Sequence, residues 1–112
     1  MKKIIMILFI CLTTIGCTQV EKVDLNKIIE TNNYIIVDVR TKEEYEEAHL
    51  VDAINIPYDQ IDANVDLDKE KTILVYCRSG NRSSIAYDIL EDLGYKVYDM
   101  GAFSEIDLPK EK

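Results

Sequence analysis

The residues best placed to do chemistry form one unbroken run: Cys77, Arg78, Ser79, Gly80, Asn81, Arg82 and Ser83. The chain holds only three arginines, and two of them stand in this loop. A thiol becomes a nucleophile when it ionises, so its surroundings must favour the thiolate. The run predicts three such influences: unpaired backbone N–H groups of a tight turn, the positive end of a following helix, and two guanidinium groups. Gly80 admits backbone angles closed to other residues; Asn81 tolerates similar ones and is a candidate helix cap, with Ser83 the second. The chain is otherwise acidic, with 21 Asp and Glu against 13 Lys and Arg. The loop is therefore expected to be a local cationic hole for a small anion or an anionic sulfur species. A lone cysteine after a strand is often a structural core residue, but a glycine and two arginines in the same turn favour chemistry.

Two elements must position this loop. Ile73 to Tyr76 is a short apolar run and predicts a buried strand. Beginning at Ser83 or Ser84, a helix is expected with Ile85, Ala86, Ile89, Leu90 and Leu93 on one side, stopped by Gly94. Upstream, Asp24 is the expected cap of a helix to Glu30, with Leu25, Ile28 and Ile29 facing inward. Asn32-Asn33 signals a turn, and Tyr34 to Val39 predicts a second strand, apolar nearly throughout as in a parallel strand covered on both faces. Thr41 caps a charged helix, Lys42 to Ala48, and Glu44 completes a capping box. Ala53 to Pro57 predicts a third short strand, Tyr58 to Asn64 a loose helix and Asp66 to Lys71 a loop. Lys96 to Met100 predicts the last strand, with Gly101-Ala102 opening a final turn or short helix. Strands alternating with helices imply an α/β domain with a central, mainly parallel sheet of about four to five strands flanked by helices. Ligands of such sheets bind beyond the carboxyl ends of the strands, where Cys77 falls.

The N-terminus has a different character. Lys2 and Lys3 precede the apolar run Ile4 to Leu12, and Thr13-Thr14-Ile15-Gly16-Cys17 follows. That order reads as a secretory signal, and the apolar segment from Ile4 to Ile15 is too short to span a bilayer, which needs roughly 20 residues. Gly16-Cys17 resembles the lipobox of bacterial lipoproteins, with Thr14 where an aliphatic residue is usual. The resemblance implies a leader of residues 1–16, a lipid on Cys17, a tether of residues 17–23 and a domain of residues 24–112, held outside the cytoplasm on a bacterial membrane. Simple secretion is the alternative. The 112-residue chain less a 16-residue leader leaves 96 residues, enough for one small domain. Losing Lys2 and Lys3 takes the net charge from −8 to −10, a poor match for nucleic acid or anionic lipid. Cys11 would leave with the leader and Cys17 would be acylated. Cys77 is then the one free thiol, which excludes an internal disulfide and C-x-x-C redox chemistry.

Cys77 to Ser83, CRSGNRS, looks like the active-site loop of single-domain rhodanese-like sulfurtransferases. Asp38-Val39-Arg40 is similar to that family's Asp-x-Arg after an early strand. Glu43, Glu44, Tyr45 and Glu47 through His49-Leu50, then Ala53-Ile54-Asn55-Ile56-Pro57, resemble its next signature, with Ala48 and Asp52 where glycines are usual. Met100-Gly101-Ala102-Phe103 resembles its Gly-Gly stretch, and Ile106 stands near where a tryptophan is usual. These last are read as packing positions. His49 and Asp38 are read as structural, Arg40 as tying down the Glu44 or Glu47 region, and the glutamates at 43, 44, 46 and 47 as a solvated helix face.

The resemblance implies a two-step sulfur transfer with Cys77 as nucleophile. A thiosulfate or persulfide donor gives up its outer sulfur to Cys77, and the resulting persulfide passes it to cyanide or a thiol. Loop N–H groups from Arg78 to Ser83 would support the anion, and Arg78 and Arg82 would hold the donor. No metal or other cofactor is implied, and the chain is expected to be monomeric. Two other readings compete. One is a phosphatase or arsenate reductase, but cysteine phosphatases place five residues between the cysteine and the arginine, whereas only four lie between Cys77 and Arg82, a smaller cradle. A non-catalytic binding module of the same fold would more often lack the cysteine.

Overall fold

The computed structural model describes residues 24–112; the lipobox-like segment and Cys17 lie outside the described residues. Helix α1 (Leu25–Thr31) starts at an Asp24 cap that accepts the Asn26 N–H, and it leads into β1 (Tyr34–Asp38). Helix α2 (Lys42–Glu47) carries the expected capping box between Thr41 and Glu44. Short strands β2 (His49–Leu50) and β3 (Ile54–Asn55) follow, then a single 3₁₀ turn at Tyr58–Gln60. Strand β4 (Thr72–Cys77) feeds α3 (Asn81–Asp92), and β5 (Lys96–Ala102) runs into a 3₁₀ turn at Phe103–Glu105. A last strand, β6 (Lys110–Glu111), pairs antiparallel with β2.

The central sheet has four parallel strands in the order β3-β1-β4-β5. Ile73 to Cys77 of β4 are fully buried, as expected of a central parallel strand with both faces covered. Alternation along β4 sorts its side chains onto two layers. Ile73, Val75 and Cys77 join Val37, Val39, Ala86 and Leu90 under α3. Leu74 and Tyr76 join Ile28, Ile36, Leu50 and Ile106 on the other face. Each buried aliphatic side chain contributes about 1.5–3 kcal/mol relative to exposure. The same alternation aims Cys77 at the start of α3 and Tyr76, registered opposite Asp38, at the other layer.

Several boundaries differ from the sequence reading. Helix α3 begins at Asn81, not Ser83 or Ser84, and its N-cap is Gly80. Asn81 is thus the first helical residue and not the cap. Ser83 lies on the helix's buried side, whereas Ile85 is exposed. The helix expected over 58–64 shortens to one 3₁₀ turn. The β2–β6 pair escaped prediction because two-residue strands carry no periodicity. At the two positions where glycines are usual, the outcomes differ. Ala48 is fully extended at φ −174°, which any residue adopts, but Asp52 takes a left-handed φ of +71°, a conformation that favours glycine.

Candidate active site

Strand β4 ends on Cys77, and the chain turns through Arg78, Ser79 and Gly80 before α3 begins. Gly80 has a φ of +102°, and a Cβ there would meet nothing within 4 Å. The position therefore needs glycine for its backbone angle, not for space. That turn brings the Gly80 N–H to 2.9 Å from Cys77 Sγ. Ser83, one turn into the helix and fully buried, places Oγ 3.5 Å from Sγ and donates to the Gly80 carbonyl at 3.2 Å. Burial pushes the Cys77 thiol up, but the hydrogen bonds that the ionised sulfur can accept from the Ser83 hydroxyl and from the N–H groups of Ser83, Gly80 and Ser79 outweigh it. The thiol is left below its ordinary value, so the site favours the nucleophilic form.

The two loop arginines part company. Arg82 is not aimed at an incoming anion: its Nη1 and Nη2 donate to Glu44 Oε1 and Oε2 at 2.8 and 3.0 Å. The same Oε1 accepts the Thr41 N–H at 3.1 Å, so the α2 capping box also anchors the reactive loop. The Arg82 bond, with the Thr41 bonds, outweighs burial and holds the Glu44 carboxyl down at about 2. Glu44 is thus not part of a solvated face. Arg78 is exposed and makes no ion pair among the described residues.

A cleft of about 490 Å³ opens beside the loop. Arg78 and Ser79 line it, with Arg40, Glu44, Glu47 and Ala48 on one side and Phe103 and Ser104 on another. Of the seven loop residues singled out from sequence, then, Arg78 and Ser79 face the cleft. Cys77, Gly80 and Ser83 form the sulfur's immediate surroundings. Asn81 is exposed at the helix start, and Arg82 turns to Glu44.

Beneath the cleft lies a buried network. Asp38 accepts the Arg40 N–H at 2.9 Å, Nε at 2.9 and 3.1 Å, Nη2 at 2.6 Å and the Tyr76 hydroxyl at 2.8 Å. Arg40 Nη2 also donates to the Ala48 carbonyl at 2.6 Å, and its guanidinium lies 4.4 Å from the Phe103 ring centroid. The Tyr76 oxygen in turn accepts the Leu50 N–H at 3.0 Å. Burial and the neighbouring Asp38 carboxylate push the Tyr76 phenol upward, so it stays a donor. Arg40 ties down the end of α2 through Ala48, not through Glu44 or Glu47. His49 hydrogen-bonds through Nδ1 with the Tyr45 carbonyl at 2.7 Å and stacks on the Tyr45 ring.

Sequence reasoning missed Glu47, Phe103 and Ser104 as cleft residues. For Glu47 a signal existed: it lies three residues after Glu44, hence on the same side of α2. Phe103 and Ser104 follow a register shift between β4 and β5 at Val75/Tyr76, and no pattern in the sequence announces that shift.

Comparison with known proteins agrees with this fold. Residues 21–106 match the family described as Rhodanese-like domain. The chain is 38% identical over 80 residues to the thiosulfate sulfurtransferase PspE of Escherichia coli, covering 68% of this chain and 77% of that protein. It is 36% identical over 84 residues to a probable molybdopterin-synthase adenylyltransferase of Porphyra purpurea, where the match covers 70% of this chain but only 22% of that longer protein. Among solved structures, a rhodanese with anions from E. coli superposes with a TM-score of 0.65 at 37% identity, over 70% of this chain and 98% of that one.

Proposed function

This chain belongs to the rhodanese-like domain family and is an enzyme of the sulfurtransferase type, and we propose that it carries sulfane sulfur from a thiosulfate or persulfide donor to a thiophilic acceptor on Cys77. The observation that carries the reading is the sulfur's setting: a buried Sγ at the end of β4, 2.9 Å from the Gly80 N–H, with its thiol held below the ordinary range. In the first step the Cys77 thiolate attacks the outer sulfur of the donor. A bond forms between Sγ and that sulfur, the donor's S–S bond breaks, and its electron pair leaves with sulfite when thiosulfate is used. In the second step cyanide or a thiolate takes the outer sulfur, and the electron pair returns to Sγ. A persulfide anion needs the same support as a thiolate, so the same N–H groups serve both states. Among the described residues that line the cleft, Arg78 is the cation without an ion-pair partner, and it is the one to receive the donor.

Arg82 on Glu44 speaks against the phosphatase reading, which needs that arginine on the oxyanion. The lipobox-like Gly16-Cys17 supports a lipid anchor on Cys17 and a place outside the cytoplasm for the domain. Partition of the full chain into detergent, lost in Cys17→Ser, is the check on that placement.

The test of the sulfur transfer is the intact mass of residues 18–112 before and after thiosulfate. A gain of one sulfur atom, removed by cyanide and absent in Cys77→Ser, is the expected result. A Cys77 that reacts with alkylating agents but never gains sulfur would overturn it.

A further inference from the structure

The cleft beside Cys77 carries charges of both signs, and most of them are already matched. Arg40 is held by Asp38 in the buried network, and Glu44 is held by Arg82. Two charged residues remain: Arg78 on the reactive loop and Glu47 at the end of α2, both exposed and neither ion-paired among the described residues. The cleft is therefore not the cationic hole that two loop arginines suggest. Among the described residues it presents one free cation and one free carboxylate, on two different elements. Within the described residues, 20 acidic side chains stand against 10 basic ones, so the surrounding field favours a ligand that carries a cation beside its anionic groups. A volume of about 490 Å³ is ample for a small organic molecule.

We propose that Glu47 and Arg78 select a zwitterionic thiol as the sulfur acceptor, an inference that rests on the sulfurtransferase reading of Cys77. The acceptor's ammonium group meets Glu47, its carboxylate meets Arg78, and its thiolate reaches the outer sulfur of the Cys77 persulfide. An S–S bond forms between the acceptor and that outer sulfur, the bond to Sγ breaks, and the electron pair returns to Sγ as the thiolate. The acceptor leaves as a persulfide anion, and the step consumes no oxidant or reductant. Glu47 is thereby a specificity residue, which distinguishes it from Glu46, exposed on the same helix and facing Lys42 at 3.8 Å.

The experiment loads Cys77 with saturating thiosulfate, removes the donor, and follows loss of the added sulfur by intact mass. The acceptors are cysteine, cysteamine and mercaptoacetate. Each thiol's intrinsic reactivity cancels when a variant is compared with the unaltered protein. Glu47→Gln should slow discharge to cysteine and cysteamine roughly three- to tenfold, and leave mercaptoacetate unchanged or faster. Arg78→Gln should slow cysteine and mercaptoacetate but not cysteamine. Glu46→Gln should alter none, and every effect should shrink as salt rises. Glu47→Gln acting on all three acceptors alike, or on none, overturns the proposal while sulfur loading still stands. Failure of thiosulfate to load Cys77 overturns the underlying reading, and the acceptor proposal with it.

Discussion

Two arginine–carboxylate pairs flank the cleft, and they are built on opposite principles. Arg40 and Asp38 lie beneath it with side chains 6% and 0% exposed. Arg82 and Glu44 lie at its rim, 25% and 23% exposed. The buried pair is closed on itself: peptide N–H, guanidinium and the Tyr76 hydroxyl converge on one carboxylate, and the Ala48 carbonyl and Phe103 ring take up the rest of the arginine. The rim pair is a single bidentate bridge between α2 and the first turn of α3. One pair joins β1, α2 and β4 into a floor; the other sets the angle at which the reactive loop meets that floor. An arginine near a nucleophile in sequence is thus not automatically a charge at the nucleophile.

The largest effect should come from breaking the floor. Asp38→Asn keeps the side chain's size but leaves the Arg40 guanidinium buried beside an amide. Removing one partner of a buried pair costs about 3–5 kcal/mol, because an uncompensated charge remains. Unfolding by denaturant should show that loss, and Cys77 reactivity should fall only in proportion to the unfolded fraction. A loss below about 1 kcal/mol would mean that the floor is no more costly to break than the rim.

Breaking the rim should be milder for stability and larger for chemistry. Glu44→Gln keeps an oxygen for the Thr41 N–H but ends the ionic bridge, at a cost of about 1 kcal/mol for a partly exposed pair. The folded Glu44 carboxyl sits at about 2, below its ordinary 4.5. Its contribution is therefore fully present above pH 4.5 and lost as pH falls toward 2. The melting temperatures of variant and unaltered protein should differ at neutral pH and converge across that window. Arg82, released, adds a cation to the cleft, so the second-order rate of loading by thiosulfate should rise roughly fivefold. Unchanged loading would show that Arg82 has no path to the cleft.

The fold was legible because its signals are periodic and local. The apolar run at Ile73 to Tyr76, the Thr41–Glu44 capping box and the Asp24 cap each follow from residue type and spacing, and each stands where expected. The Asp38–Arg40 contact lay within reach of sequence because the two residues are two apart. The Arg82–Glu44 bridge did not: its partners are 38 residues apart, and nothing local to CRSGNRS shows that a glutamate on another helix will take its second arginine. The same limit hid the cleft wall at Phe103 and Ser104. The cysteine's setting was legible in kind, since a strand–turn–helix junction supplies N–H groups wherever it occurs. Which donors reach the sulfur depended on α3 starting two or three residues earlier than its apolar pattern suggested, and that shift is what places Ser83 behind Cys77.

The contrast between the pairs leaves the thiolate to neutral donors, and Ser83 is where that claim is most exposed. Its hydroxyl has one proton, which bonds the Gly80 carbonyl at 3.2 Å while the sulfur lies 3.5 Å away. On ionisation of Cys77 the hydroxyl can turn that proton toward the sulfur, a charge-assisted bond stronger than the one given up. Ser83→Ala removes this response and leaves the backbone N–H groups in place. The thiol should therefore move up toward its ordinary value, and alkylation at neutral pH should slow by roughly three- to tenfold. The sign for stability follows. A thiol lowered on folding stabilises the fold above the unfolded value and loses that contribution as pH falls through the folded one. The variant should therefore lose stability at alkaline pH and match the unaltered protein at acidic pH. Should the alkylation profile stay in place in Ser83→Ala yet move upward in Glu44→Gln, the thiolate would owe its support to the arginine bridge, and the division of labour between the loop and its flanking pairs would be reversed.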